Sequence, residues 1–511
     1  MKPIFTFLIL LTAALGHATE RVAALIDQTA YVAGEQMYVA VRVEPVTSQD
    51  SAALSRVAYV ELCDQQHLCA QAMVALTDGY GWAALSLPAT LHSGYYQLTV
   101  YTQAQLSQAD APLHCQLVPV INPLLTQRGD QISFAEAERP ITPEMTCQAS
   151  SPLTLCWPEA ARDAHLASVT IIGHPLCSAE AESTALTPRQ PSTRPRIEAE
   201  GHQVHARVVG NHHVVQCMLA AVGKAPHVYA GQQQSDSTWI FYTDGQLTGT
   251  LGVALTATDE EGRCIPMDFF SPYERLLPQS LPRLTMHCQP EDLRQRSIAA
   301  QQLQAFRSSL PADTLAASPL FLGMEPTYDY KMSEWAKFST IREIITEFVH
   351  GAHRGKDGHR TSLFIFDREA NAISTCPALL LLDGVPVYDT DKLLDYDARL
   401  LEHVRIYHGR VAMGSQLYFG VISFTTQRGG LSNYKLDAGT RLAAYDFPQQ
   451  RPALLQYEGQ SAGCLTWLPC IPGQRSLQLT APSRPGIYTL FWQWVGQNGN
   501  VDTHTEQLIV R

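Results

Sequence analysis

Charge is scarce in this chain. Only 16% of its 511 residues are Asp, Glu, Lys or Arg, and their balance is −12. Nucleic-acid binding rests on cations that neutralise phosphates, so an acidic, charge-poor chain gives it no electrostatic support. Long apolar runs are missing too. After the N-terminus no stretch reaches the ~20 residues that carry a helix across a bilayer, so no membrane-spanning segment is expected. The usual signatures of catalysis are also absent: there is no His-Glu-x-x-His zinc helix, no phosphate loop and no Gly-x-Ser-x-Gly elbow. The chain therefore reads as a non-enzyme, with no catalytic residue, metal ligand or cofactor assigned.

Two clusters invite a metal and fail on spacing. His202, His205, His212 and His213 lie near Cys217, but on a strand His202 and His205 point to opposite faces. Asp389, Asp391, Asp395 and Asp397 form a carboxylate run without the turn glycine and closing Glu of a calcium loop. Helix caps and turns are the better use for them. An unrecognised hydrolase site is the remaining catalytic alternative.

Apolar residues make up 45% of the sequence, a globular and β-leaning composition, and the length is that of three or four domains. Residues 1–18 read as a secretory signal: Lys2, an apolar core from Ile4 to Leu15, then Gly16-His17-Ala18. All 12 cysteines follow it, and with export disulfides become the default. Cys63 with Cys69, Cys147 with Cys156, and Cys464 with Cys470 are candidate local bridges. Their spacing is not that of paired zinc ligands.

Periodicity divides the chain. After the signal (1–18), residues 19–104 show about seven short strands, a β-sandwich pattern. Residues 105–195 form a β-rich segment ending in a Pro/Ser linker. Alternation returns over 196–290 as a second sandwich. Residues 291–330 hold a Gln-rich helical segment and a second linker. Residues 331–432 read as a small α+β domain, and 433–511 as a C-terminal β domain. The fold class is thus mainly β, with tandem sandwiches and one small α+β domain.

The α+β domain opens with a helix. Thr340 and Glu343 make a capping box, Ile341, Ile344, Ile345, Phe348 and Val349 repeat on one face, and Gly351 sits at the C-cap position. The loop from His350 to Arg360 is basic; a solvated hairpin tip is its ordinary reading, and contact with a carboxylate-rich partner the alternative. An apolar strand, Ala378 to Leu382, then meets the turn Asp383-Gly384. Asp397 caps a short segment, Val404 to Tyr407 is a strand, Gly409 and Gly414 break the chain, and Leu417 to Thr426 leads to Arg428-Gly429-Gly430.

This stretch resembles the plug domain of TonB-dependent outer-membrane receptors, in which an "IDGVPV" strand precedes a "GS…GVI…TTKKG" segment. Asp383, Gly384, Val385, Pro386, Gly414, Ser415, Gly420, Val421, Ile422, Thr425, Thr426 and Gly429 carry the match. A receptor barrel has ~22 strands of ~9–11 residues each, and residues 431–511 are too few for one. The resemblance implies a plug-like domain without its pore.

The first sandwich resembles the macroglobulin type, on Asp27, Tyr31, Gly34 and Glu35, then Asp78, Gly79 and Gly81, Leu87-Pro88, Ser93-Gly94-Tyr95-Tyr96 and Tyr101-Thr102. No cysteine begins the Cys-x-Glu-Gln of a thioester trap. The whole order is similar to an exported multidomain family of Bacteroides-like bacteria. What the resemblance implies is an accessory of transport or surface assembly at the outer membrane. Its partner would be an outer-membrane or envelope protein, a β-barrel among the candidates. A secreted macroglobulin-like binding protein or non-covalent protease inhibitor is the alternative. The strand Gly486-Ile487-Tyr488 with its basic end resembles a type IX secretion tail, which keeps the cell surface open beside the periplasm.

Overall fold

A computed structural model of the chain describes residues 20–46, 54–107, 112–125, 144–178, 197–307, 318–335, 338–367, 371–449, 455–456, 464–470, 476–496 and 499–511. The signal segment, the 178–195 linker beyond its first residue, and residues 308–317 of the 308–326 linker lie outside them. The architecture is mainly β. Two compact units form, each discontinuous in sequence: one from Met1–Ala199, Arg275–Gln304 and Arg451–Arg511, the other from Glu200–Glu274 and Ala305–Gln450. Among the described residues no helix is long and apolar enough to cross a membrane.

In the first unit, strands Glu20–Ile26, Gln36–Pro45 and Tyr80–Ser86 form an antiparallel sheet. It faces a five-stranded sheet in the order Tyr31–Val32, His114–Ile121, Gly94–Tyr101, Val57–Cys63, Leu68–Ala75. Val39, Val41 and Val43 meet Val60, Leu62, Val100 and Val118 between them. The sandwich does not stop at residue 104, as the sequence implied. His114–Ile121 pairs with both Gly94–Tyr101 and Tyr31–Val32, so part of the segment read as 105–195 is a core strand of the first sandwich.

A separate C-terminal domain beginning at residue 433 does not form. Cys464–Cys470 and Gly486–Val495 flank Leu166–Ile172 in one sheet, and Val501–Val510 continues it to Glu144–Cys147. Residues 144–172 are apolar on one face and need that partner: Leu153, Trp157, Val169 and Ile171 pack with Leu490, Trp492 and Leu508. The sheet's opposite face buries Trp467 and Cys464 against Leu25, Tyr38, Trp82 and Ala84. Strand Arg441–Phe447 instead joins the second sandwich, along Gly249–Thr258.

The second unit holds that sandwich and the α+β region. One sheet runs Gln232–Ser235, Thr238–Tyr242, Gln203–Val208, Met267–Phe269; the other is built on Gln216–Ala221 and Gly249–Thr258. The α+β region is a five-stranded sheet in the order Tyr328–Lys331, Leu401–Met413, Gln416–Thr426, Leu379–Leu382, Val385–Pro386. Helix Ile341–Glu347 packs Ile341, Ile344 and Ile345 into its core. The Thr340 hydroxyl accepts from the Glu343 amide at 3.3 Å, while the Glu343 carboxylate caps the amide of Ser339 at 2.8 Å. Gly351 has the expected positive φ of 93°, but lies three residues past Phe348, which closes the helix.

Candidate functional site

The plug-like motif assembles around one carboxylate. Leu379–Leu382 is aliphatic throughout and buried on both faces, worth about 2 kcal/mol per leucine. It runs parallel to Gln416–Thr426, with Leu382 opposite Phe424. Asp383 and Gly384 then take φ of 45° and 79° to reverse the chain. Asp383 is fully buried. Its Oδ1 accepts from the Thr426 amide at 2.6 Å; its Oδ2 accepts from the Thr426 hydroxyl at 2.6 Å and the Leu431 amide at 2.7 Å. The Gly429 amide donates to the same hydroxyl at 3.1 Å. Burial holds the Asp383 carboxyl above its ordinary pKa, against these hydrogen bonds and the charge of Lys224.

The other motif residues shape backbone. A Cβ on Gly384 would lie 2.7 Å from the Ala221 carbonyl, and one on Gly420 (φ 79°) would overlap Ile365 and the Tyr407 carbonyl. Gly414 turns the hairpin between Met413 and Gln416. Pro386 sits on the edge strand, where its missing N–H costs nothing. Thr425 is buried opposite His403. Asp383, Thr426 and Gly429 are thus brought together as a folding hub, with no nucleophile or open acid–base pair in it.

The macroglobulin-type residues form a second hub, in the first unit. Asp27 is fully buried and accepts from the Tyr31 hydroxyl at 2.7 Å, the Tyr38 amide at 2.8 Å and the Gln28 amide group at 3.0 Å. Burial first, and then the charge of Asp27, push the Cys464 thiol up. Eight residues on, Glu35 accepts from the Val32 amide at 2.8 Å and pairs twice with Arg296, whose Nε is 2.8 Å away and whose Nη2 also reaches the Ala30 carbonyl at 3.0 Å. Arg296 is 1% exposed. It comes from helix Pro290–Arg307, whose inner face is Leu293, Arg296 and Ala300. His174 anchors the same helix through Asp292 at 2.8 Å.

Burial raises the Asp27 pKa to about 6 against the hydrogen bonds from Tyr31, Tyr38 and Gln28. A carboxyl raised above its unfolded value of 3.8 binds a proton in the folded chain first. Its ionisation therefore costs stability above pH 6, a cost removed as pH falls. Wild type should gain about 1 kcal/mol over Asp27→Asn between pH 7 and pH 5. Urea titrations of both proteins at the two pH values measure this; an unchanged difference would mean an ordinary carboxyl.

Glu61 escaped sequence reading. It is buried, and accepts from the Tyr101 hydroxyl at 2.7 Å and the amides of Arg275 at 3.1 Å and Leu276 at 2.7 Å. A single Glu in an apolar strand is its only trace in the sequence. Of the histidines, His202 is buried and bonded to Tyr445 at 2.8 Å, while His212 and His213 are exposed. The four aspartates cap and pair: Asp389 caps Thr390–Leu394, Asp397 caps Ala398–Leu400, Asp391 accepts from Thr361 and Asp395 pairs with Arg342.

Cys63, Cys69, Cys147, Cys156, Cys464 and Cys470 are all thiols in the structure. Cys464 and Cys470 cannot bridge each other. They end one seven-residue strand, about 20 Å apart at ~3.3 Å per residue, and a disulfide needs Cα atoms within ~7 Å. Cys147 and Cys156 end strands of different sheets. In the hairpin of Val57–Cys63 with Leu68–Ala75, Cys63 lies opposite Leu68 and Cys69 is the bulge residue beside it; burial and then Glu61 and Cys69 push the Cys63 thiol up.

Two surfaces of the α+β region stand out. Trp335, 50% exposed, lies 4.2 Å from Phe348 between ring centroids, and Phe348 also meets Tyr330 and Phe338. The basic loop is a hairpin, Ala352–Asp357 with Arg360–Asp367. Its Arg360 guanidinium lies against Gly262, on the turn of the second sandwich.

No protein-family model matches the chain, and no curated protein does. Among solved structures it is similar to native Escherichia coli alpha-2-macroglobulin (8% identity, 98% of this chain and 40% of that one, TM-score 0.23). It is also similar to Salmonella alpha-2-macroglobulin reacted with methylamine (10%, 96% and 23%, 0.17) and dimeric latent PorU from Porphyromonas gingivalis (9%, 96% and 34%, 0.17). The chain spans less than half the length of each. Overlaps at these TM-scores fix neither a shared fold nor a shared activity.

Proposed function

We propose that the chain is an exported, non-enzymatic binding protein, acting at the outer membrane as an accessory of transport or surface assembly. The observation that carries this reading is the Asp383–Thr426–Gly429 hub. It supports the plug-like resemblance because separated motif residues meet at one carboxylate. With that carboxylate buried, binding falls to the exposed surface of the α+β region, which carries a basic hairpin and the half-exposed Trp335. The partner is an envelope protein, a barrel among them.

The test is a mild-detergent pull-down from the native envelope, with the tag at a surface loop. One envelope protein recovered in near-equal amount is the expected result. Recovery of nothing, with the chain soluble in periplasm or medium, overturns it. A second reading, a macroglobulin-type binding protein or non-covalent protease inhibitor, is favoured by the Asp27–Tyr31–Glu35 network in the first sandwich. A stable complex with a protease, holding a cleaved segment of the chain, would select that reading.

A further inference from the structure

Strand Ala352–Asp357 is the outer strand of its three-stranded sheet; Arg360–Asp367 and then Ala372–Ile373 lie on one side of it. The hairpin closes through two residues, Gly358 (φ 58°) and His359, with Asp357 opposite Arg360. In such a turn the closing pair exchanges hydrogen bonds, and every second pair after it does the same. Gly355 with Ser362 and His353 with Phe364 are then bonded inward, and Arg354 and Lys356 turn their N–H and C=O outward. The far side of the hairpin obeys the same phase: the carbonyls of Leu363 and Ile365 accept from Ala378 and Ser374, away from the outer strand.

The positive charge on this edge comes from Arg354 and Lys356. His353, Arg354, Lys356 and His359 are exposed, and Asp357 is the one acid between His350 and Arg360. Lys356 donates to the Thr361 hydroxyl at 3.4 Å, and among the described residues it pairs with no carboxylate. The chain as a whole has 48 acidic and 36 basic side chains, so this strand has the opposite sign to the protein that carries it. An outward row of alternating amide donors and acceptors fits another extended backbone. Flanking Arg and Lys favour carboxylates, and a second copy of the edge would bring like charges together.

We infer that Ala352–Asp357 is a docking edge that adds an extended, acidic peptide segment of a partner protein as a further strand, read through the Arg354 and Lys356 backbone and charge. This rests on the binding-protein reading above and names its contact. Lysine on an edge strand also serves to keep other strands away, and the experiment separates the two uses.

The probe is a fluorescein-labelled Thr-Glu repeat octapeptide, titrated against the full chain at low and high salt by anisotropy. The expected result is saturable binding that weakens with salt, falls about tenfold or more in Arg354→Glu/Lys356→Glu, and is lost when alternate peptide amides are N-methylated at unchanged charge. Equal binding of the methylated peptide, or displacement by heparin as readily as by unlabelled peptide, makes the surface a plain anion patch and overturns the inference. No binding leaves a guarded edge and overturns it too. A pull-down with Arg354→Glu/Lys356→Glu separates the two levels. If the partner seen with wild type is retained, the edge is wrong and the binding-protein reading stands. If wild type recovers no partner while the peptide binds as expected, the edge stands and the outer-membrane reading falls.

Discussion

Replacing Arg296 with alanine is expected to lower the stability of the first unit by about 3–5 kcal/mol. The guanidinium is buried and is the cation paired with Glu35, which is buried as well. Removing it leaves a carboxylate in a low-dielectric interior beside a second one, Asp27, whose pKa already carries a contribution from Glu35. It also detaches helix Pro290–Arg307 from the Ala30 carbonyl. Attraction alone does not set the size of the loss; the orphaned charge does. A double variant, Arg296→Met with Glu35→Gln, should therefore recover most of it, because neither ion then has to be desolvated. Urea unfolding followed by tryptophan fluorescence reports the unit, since Trp82, Trp467 and Trp492 lie in its cores. A midpoint for Arg296→Ala close to that of a surface substitution would mean that the helix is not held through this residue.

What was legible in the sequence was local. The Asp383-Gly384 reversal, the Thr340 cap and the aspartate caps each depend on residues within a few positions, and backbone sterics select Gly, Asp and Thr for those conformations. Non-local choices were not legible. Leu166–Ile172 is buried along its whole length, and its own residues do not say that its neighbours lie some 300 residues later. The run from Met37 to Val43 reads in sequence as alternating, yet Tyr38 and Ala40 are as buried as Val39 and Val41, because a second sheet covers the face that alternation assigns to water. Buried charge is the hardest class. Arg296 sits in a polar, Gln-rich helix, and Glu61 is the one charged residue of an apolar strand. Only the tertiary partners, Glu35 for one and the Arg275–Leu276 amides for the other, make their burial tolerable. Cys464 shows the reverse error: spacing offered it as half of a bridge, and the fold places it against Asp27.

Asp383→Ala should cost the second unit about 3 kcal/mol or more, since the buried amides of Thr426 and Leu431 lose their acceptor together with the Thr426 hydroxyl. Asp383→Asn keeps one acceptor oxygen but turns an NH2 toward an N–H donor, so an intermediate loss is expected. The pH dependence distinguishes this hub from the surface ion pairs of the same unit. Hydrogen bonding from Lys224 holds Glu402 below its ordinary range, and hydrogen bonding from Arg399 does the same for Asp397; such groups lose their contribution as acid protonates them. Asp383 is shifted upward by burial, so its folded form takes a proton more readily than its unfolded one, and the penalty for ionising it is relieved on acidification. The advantage of wild type over Asp383→Ala should therefore widen from neutral pH toward acid, while that of wild type over Lys224→Ala narrows. Chemical denaturation of the three proteins across that range is the measurement. Parallel pH curves would mean that the Asp383 carboxyl is solvated, and that the Asp-Gly turn holds the motif together by backbone geometry alone.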